Sequence, residues 1–180
     1  MLSDERGHAL AQRIDPRCVG ALQPEAAGHP DTTYLCVVDE ARNVVSYIHS
    51  LYAGNGMVAG DTGILLNDRM GCFSLDPNSP NRLAPGKRPV QTLNSWMLLQ
   101  DGTPQVVGGT PGSFCQVQTN LQLVSNLIDL GMPVQAAIDA PRWTIGGWAA
   151  GGAAQVVRID GGMLTGGGDP RPGTSSVIGY

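Results

Sequence analysis

Apolar positions along this chain fall into blocks of different spacing. In residues 4–14, Ala9, Leu10 and Ile14 share one side behind Ser3 as a cap and the acidic Asp4 and Glu5, which predicts a short helix stopping before Pro16. Residues 16–31 carry Pro, Gly and Ala with little periodicity and read as an exposed, easily cut linker. The character changes at Thr32: residues 33–39 and 43–50 are β-branched and aromatic runs around a turn at Glu40-Ala41-Arg42-Asn43, which predicts a hairpin. A further strand or loop edge is expected through 57–58 and 64–66. Pro77, Pro80, Pro85 and Pro89, with Asn78, Asn81 and Gly86, make 74–89 an ordered surface loop. Strands resume at 95–99 and 105–107 around a turn at Asp101-Gly102. After a Gly-rich turn over 108–113, Val117, Leu121, Leu123, Val124, Leu127, Ile128 and Leu130 recur at helical spacing until Gly131. A shorter helix is expected over 134–140 between Pro133 and Pro141, and tail strands at 154–159 and near 175–178. Strands, then helices, then strands describe an α+β layered domain.

Composition narrows the classes. A chain of 180 residues with 42% hydrophobic and 14% charged content supports one globular core. The net charge is -4 and the eleven basic residues are scattered, so no nucleic-acid partner is expected. No apolar run reaches bilayer-spanning length, which gives no membrane partner. The acidic, polar start Met1-Leu2-Ser3-Asp4 lacks a secretory pattern, so the expected compartment is the cytoplasm, with the periplasm open if the true N-terminus lies further upstream. Cys18, Cys36, Cys72 and Cys115 form no C-x-x-C pair and have no nearby His, so they read as buried thiols, and neither metal nor cofactor is expected. Pro85-Gly86-Lys87-Arg88 lacks the earlier Gly and the following Ser or Thr of a phosphate loop.

Three scattered histidines make no Ser-His-Asp set, so a hydroxyl nucleophile needs another base. A Thr at the very start of a chain carries its own: an α-amino group has a pKa near about 8 and is partly neutral at neutral pH. Thr32 follows the linker, and cutting the Asp31-Thr32 bond would expose that amine. By local pattern alone, Thr32 and Thr33 are ordinary strand residues.

Six motifs in one order change that reading. They are Thr32-Thr33-Tyr34, Gly60-Asp61-Thr62-Gly63, Phe73-Ser74-Leu75-Asp76-Pro77, Ala84-Pro85-Gly86-Lys87-Arg88-Pro89, Gly109-Thr110-Pro111-Gly112 and Asp139-Ala140-Pro141-Arg142-Trp143. Together they resemble the small subunit of the gamma-glutamyltransferase (gamma-glutamyltranspeptidase) family of N-terminal-nucleophile hydrolases, and Asp169-Pro170-Arg171 and Gly179-Tyr180 resemble its C-terminal end. The resemblance implies part of an αββα sandwich. Residues 1–31 would be a remnant of the large subunit's last helix plus the linker, and 32–180 the catalytic small-subunit-like domain. It also implies self-cleavage between Asp31 and Thr32, Thr32 as nucleophile, Ser50 as a hydroxyl hydrogen-bonding near it, and backbone N–H groups of Gly112 and Ser113 as an oxyanion hole. A Gly-rich turn at a helix start suits that last role, since unpaired N–H groups and a positive dipole end converge there.

Substrate-contacting positions depart from the transferase pattern. Tyr52 stands where an Asn is usual, Cys72 where an acidic residue holds the substrate's ammonium, and Gln91 and Thr92 where a Ser pair holds its carboxylate. A neutral thiol cannot pair with an ammonium. Ser50-Leu51-Tyr52, Phe73 through Pro77, and Thr92-Leu93-Asn94 are closer to the acylase-like and oxamate-amidohydrolase-like branch. The expected activity is therefore acyl transfer from a small-molecule amide or γ-glutamyl substrate to Thr32, then hydrolysis or transpeptidation. The competing reading is a noncatalytic remnant, or a subunit active only with a separate large subunit.

Overall fold

A computed structural model describes residues 32–52, 57–145, 152–171 and 175–179, together with Glu5, His8 and Gln12. Of the helix expected at 4–14, Glu5 and His8 are helical and the Gln12 amide donates to the His8 carbonyl at 3.0 Å. The rest of that helix, and the linker with Asp31, lie outside the described residues.

The hairpin forms as its β-branched runs predict. Strand β1 (Thr32–Val38) pairs antiparallel with β2 (Val44–Ser50) in unbroken register from Thr32 opposite Ser50 to Val38 opposite Val44. Its turn is fastened by Asp39, whose carboxylate accepts the Asn43 backbone N–H and side-chain amide, both at 2.8 Å. Those two bonds hold the Asp39 carboxyl below its usual range.

Behind the hairpin lies an antiparallel sheet ordered β3 (Trp96–Gln100), β4 (Thr103–Gly109), β5 (Gln155–Asp160), β6 (Met163–Gly168). Because side chains alternate along a strand, Val106 and Val156 face one way while Val107 and Gly109 face the other. The Tyr34 ring packs on Gly109, where a Cβ would approach it to 2.5 Å, so the hairpin covers that second face. The first face meets helices α1 (Cys115–Ile128) and α2 (Val134–Asp139). Leu123 and Leu127 of α1 and Val134, Ala137 and Ile138 of α2 close with Val106, Ala154 and Val156 into the core. Each large side chain buried there contributes about 1.5–3 kcal/mol. The result is an α+β stack, with hairpin, sheet and helices in three layers. No helix among the described residues is long and apolar enough to cross a membrane.

Three expectations are corrected. Gly108 and Gly109 belong to β4 and not to the following turn, because each lets an aromatic ring, Trp96 or Tyr34, lie against the strand. Residues 175–178 are not a strand; β6 takes that place, its Gly166-Gly167-Gly168 run reading as a turn by composition. In the fold a Cβ on Gly167 would meet Val134 at 2.7 Å and Ile138 at 2.8 Å, and one on Gly166 would meet Val177 at 2.6 Å, so these glycines are what close packing on both faces requires. In α1, the apolar series does not mark the buried face alone. Val117, Leu121 and Ile128 are exposed, whereas Gln116, Thr119 and Asn120 are buried. The buried amides serve the segment ahead of β3: Gln116 accepts the Asn94 N–H at 2.8 Å, and Asn120 donates to the Asn94 carbonyl at 2.7 Å and to its side chain at 2.8 Å.

Asp169, fully buried, joins the two Arg-containing motifs. It pairs with Arg142 just after α2 and, at 3.1 Å, with Arg171. Arg171 also donates to the Ile138, Asp139 and Ala140 carbonyls at the end of α2, where a cation suits the helix dipole.

Candidate active site

Thr32 opens β1 and Ser50 closes β2, so the hairpin register itself brings their hydroxyls together, Oγ1 to Oγ at 2.7 Å. Ser50 Oγ also accepts the Tyr52 backbone N–H at 2.9 Å. That bond holds Tyr52 at φ 70°, a left-handed conformation that a bulky residue adopts at a cost of roughly 1–3 kcal/mol. The Tyr52 ring lies under the guanidinium of Arg69, 4.5 Å from centroid to Cζ. Arg69 begins the 3-10 turn Arg69–Cys72, and its Nη1 donates to Thr92 Oγ1 at 2.9 Å. The Asp68 N–H donates to the Leu51 carbonyl at 3.2 Å, which ties this turn to the strand end carrying Ser50.

One continuous set of contacts thus joins Thr32, Ser50, Tyr52, Arg69 and Thr92. Cys72 ends the same turn with a half-buried thiol, and its carbonyl accepts from Asn81. Asn81 also takes the Val90 N–H at 3.0 Å, and its own carbonyl accepts the Ser74 N–H at 2.9 Å, which is how the Pro-rich loop is ordered. Gln91 is exposed and makes no side-chain hydrogen bond among the described residues.

The turn 110–113 leads from β4 into α1. Gly112 has φ 131° and Ser113 φ 52°, and their carbonyls accept the Cys115 and Gln116 N–H groups at 3.0 and 3.2 Å. Among the described residues, no backbone acceptor takes the N–H of either Gly112 or Ser113. A Cβ on Gly152 would sit 2.1 Å from the Pro111 carbonyl oxygen, so the turn is braced from that side by bare backbone. Tyr34, two residues past Thr32, packs on Gly109, three before Gly112, which anchors the start of β1 beside the root of the turn. Ser113 is strained where a glycine would not be: Ser113→Gly is expected to raise unfolding free energy by about 0.5–1 kcal/mol, read by urea denaturation, with no change in the m-value.

Two nearby groups are unsuited to nucleophilic work. Burial pushes the Cys36 thiol up, and a thiol kept protonated is a poor nucleophile. Burial likewise pushes the Tyr34 phenol up, against an opposing hydrogen bond with Ser46 Oγ at 2.9 Å. Sequence reasoning did not single out Arg69; the only signal was an Arg three residues ahead of Cys72, and burial is not visible in a sequence.

The gamma-glutamyltranspeptidase family model matches residues 1–165. Over 147 residues the chain is 42% identical to the glutathione hydrolase-like YwrD proenzyme of Bacillus subtilis, covering 81% of this chain and 26% of that protein. Over 151 residues it is 39% identical to the oxamate amidohydrolase proenzyme of Klebsiella pneumoniae, covering 81% and 28%. Among solved structures it resembles a cephalosporin acylase from Bacillus halodurans, with TM-score 0.74 and 33% identity, covering 94% of this chain and 37% of that one. The chain therefore spans about a quarter of the length of these curated relatives.

Proposed function

The chain belongs to the gamma-glutamyltranspeptidase family, its relatives including the acylase-like branch, and from that premise we propose that it carries the nucleophile of an amide hydrolase or acyltransferase, with Thr32 attacking the acyl carbon. The observation that carries the reading is the 2.7 Å contact between the Thr32 and Ser50 hydroxyls at the open end of the hairpin.

The first step is cleavage of the chain itself. Thr32 Oγ attacks the Asp31 carbonyl, the peptide C–N bond breaks as an ester forms, and water hydrolyses that ester to leave Asp31 with a carboxylate and Thr32 with a free amine. Relatives named as proenzymes support this order. In turnover, Oγ attacks the substrate carbonyl while the amine takes the hydroxyl proton. The carbonyl oxygen gains the electron pair and is received by the Gly112 and Ser113 N–H groups; one such donor commonly contributes about 3 kcal/mol at the transition state. Collapse expels the amine, protonated by the Thr32 ammonium, and leaves an ester on Oγ. Water or a second amine, deprotonated by the same α-amino group, then releases the acyl group. Ser50 holds the Oγ rotamer through both halves.

A second observation favours the subunit form of this function. The outward face of the hairpin exposes Leu35, Val37, Val45 and Tyr47, an apolar strip of the kind that marks a protein contact. We assign it to the family's large subunit.

N-terminal sequencing of the mature protein tests the reading: a chain beginning at Thr32 is expected. An intact Asp31-Thr32 bond, with no turnover of acyl or γ-glutamyl anilides even beside a large subunit, removes it.

A further inference from the structure

We propose that Gln116 is the positioning residue of the turn 110–113: its buried side chain pins the start of α1, and that pin aims the Ser113 N–H. This rests on the reading of Gly112 and Ser113 as the oxyanion donors and deepens it.

Gln116 is fully buried, at 0% exposure, and ties two segments together. Its Oε1 accepts the Asn94 N–H at 2.8 Å, while its own backbone N–H donates to the Ser113 carbonyl at 3.2 Å. The amide cannot be turned over, because Nε2 would then face the Asn94 N–H donor to donor. Nε2 is left buried with no hydrogen-bond partner among the described residues. Such an unspent donor costs stability, which an apolar side chain of the same length would not. Nor is Gln116 needed merely to join Asn94 to the helix. Asn120, one turn further on, already donates to the Asn94 carbonyl at 2.7 Å and to its side chain at 2.8 Å. What Gln116 adds is a tie at the first turn of α1. That end has no other side-chain fastening of the usual kind, since its cap position is Phe114 and carries no capping hydrogen bond.

The first turn of α1 sets the direction of the donor. A trans peptide points its carbonyl and the following N–H in opposite directions. The Gly112 carbonyl accepts the Cys115 N–H at 3.0 Å, so the Ser113 N–H, in the same plane, points away from the helix. Any shift of Cys115 and Gln116 swings that plane with it. The turn has a reason to shift, because Ser113 at φ 52° is strained and relaxation would rotate the same plane. Gln116 opposes that relaxation from the helix side. On the other side, the Tyr34 ring against Gly109 fixes the start of β1. The nucleophile and the donor are thus each held to the root of the turn by one buried side chain.

The test compares processed wild type with Gln116→Met and Gln116→Leu on an acyl 4-nitroanilide, with Gln122→Met as control. Gln122 lies on the same helix but bonds the Trp143 backbone, away from the turn. A misaimed donor weakens only the transition state, so kcat is expected to fall about 30-fold with KM unchanged. This is less than the roughly 10²–10³-fold of losing a donor outright. Urea midpoints of the Gln116 variants should stay near wild type, because the unspent donor goes together with the Asn94 bond. Unchanged kcat, a rise in KM that matches the loss, or the same loss in Gln122→Met overturns the proposal. Amide NMR spectra of Thr32→Ala protein need no turnover. Gly112 and Ser113 signals that move with Gln116→Met and not with Gln122→Met support the proposal, and signals that stay in place overturn it. If wild type hydrolyses no anilide, the reading of Thr32 fails and these spectra still decide Gln116.

Discussion

Thr32→Ala is expected to leave the Asp31-Thr32 bond intact and to lower turnover by about 10⁴-fold or more, because one substitution removes the attacking oxygen from both reactions. Thr32→Ser is the informative companion. It keeps an oxygen opposite Ser50, where the hairpin register sets the 2.7 Å contact, but loses the methyl that restricts χ1. Slow self-cleavage and reduced but measurable turnover are expected. The base has a signature of its own: with an α-amino group as proton acceptor, kcat/KM rises with pH and levels off above a midpoint near about pH 8, moved by whatever the site does to the amine. The two measurements separate the roles. Mass spectrometry of the purified variants reads cleavage, and anilide hydrolysis reads turnover. Full activity in Thr32→Ala would place the nucleophile elsewhere.

The hairpin was legible because β-branched and aromatic runs around a short polar turn have few alternatives, and the Thr32–Ser50 pairing follows from its register. The two helices were legible from period and from their Pro and Gly stops. Strand β6 was not, since Gly166-Gly167-Gly168 has no side chains to alternate and gives no period at all; its place is set by Val134, Ile138 and Val177 closing over it. Orientation of α1 was hidden for a related reason. Its apolar series supplies both the core-facing Leu123 and Leu127 and the exposed Val117 and Leu121, while the inward polar residues serve Asn94. At the site, Thr32, Ser50, Tyr52 and Thr92 were named from motif order, and the fold links them. The link itself is Arg69, and neither its burial nor its contact with Tyr52 has a sequence signature.

Asp169→Ala is expected to cost about 3–5 kcal/mol of stability, a large share of the roughly 5–15 kcal/mol typical of a domain. The reason lies in what the carboxylate leaves behind. Arg142 has a side chain only 3% exposed, and Asp169 supplies it a carboxylate inside the protein. Removing the anion strips that compensation from a buried cation, and this costs more than the pair gains by forming. Asp169 is also the junction of three segments, since its N–H donates to the Ala154 carbonyl at 2.9 Å and its Oδ1 accepts the Arg171 N–H at 3.1 Å. Arg171→Met separates the two contributions: it removes the cation from the end of α2 but leaves Asp169 with Arg142, so a smaller loss, about 1–2 kcal/mol, is expected. Urea unfolding checks both variants, and the midpoints should fall in the order wild type, Arg171→Met, Asp169→Ala. Equal midpoints for Asp169→Ala and wild type would mean that this clasp does not stabilise the fold. The clasp also bears on catalysis at one remove, because it fixes Ala154 two residues from Gly152, against which the Pro111 carbonyl of the proposed oxyanion turn is packed.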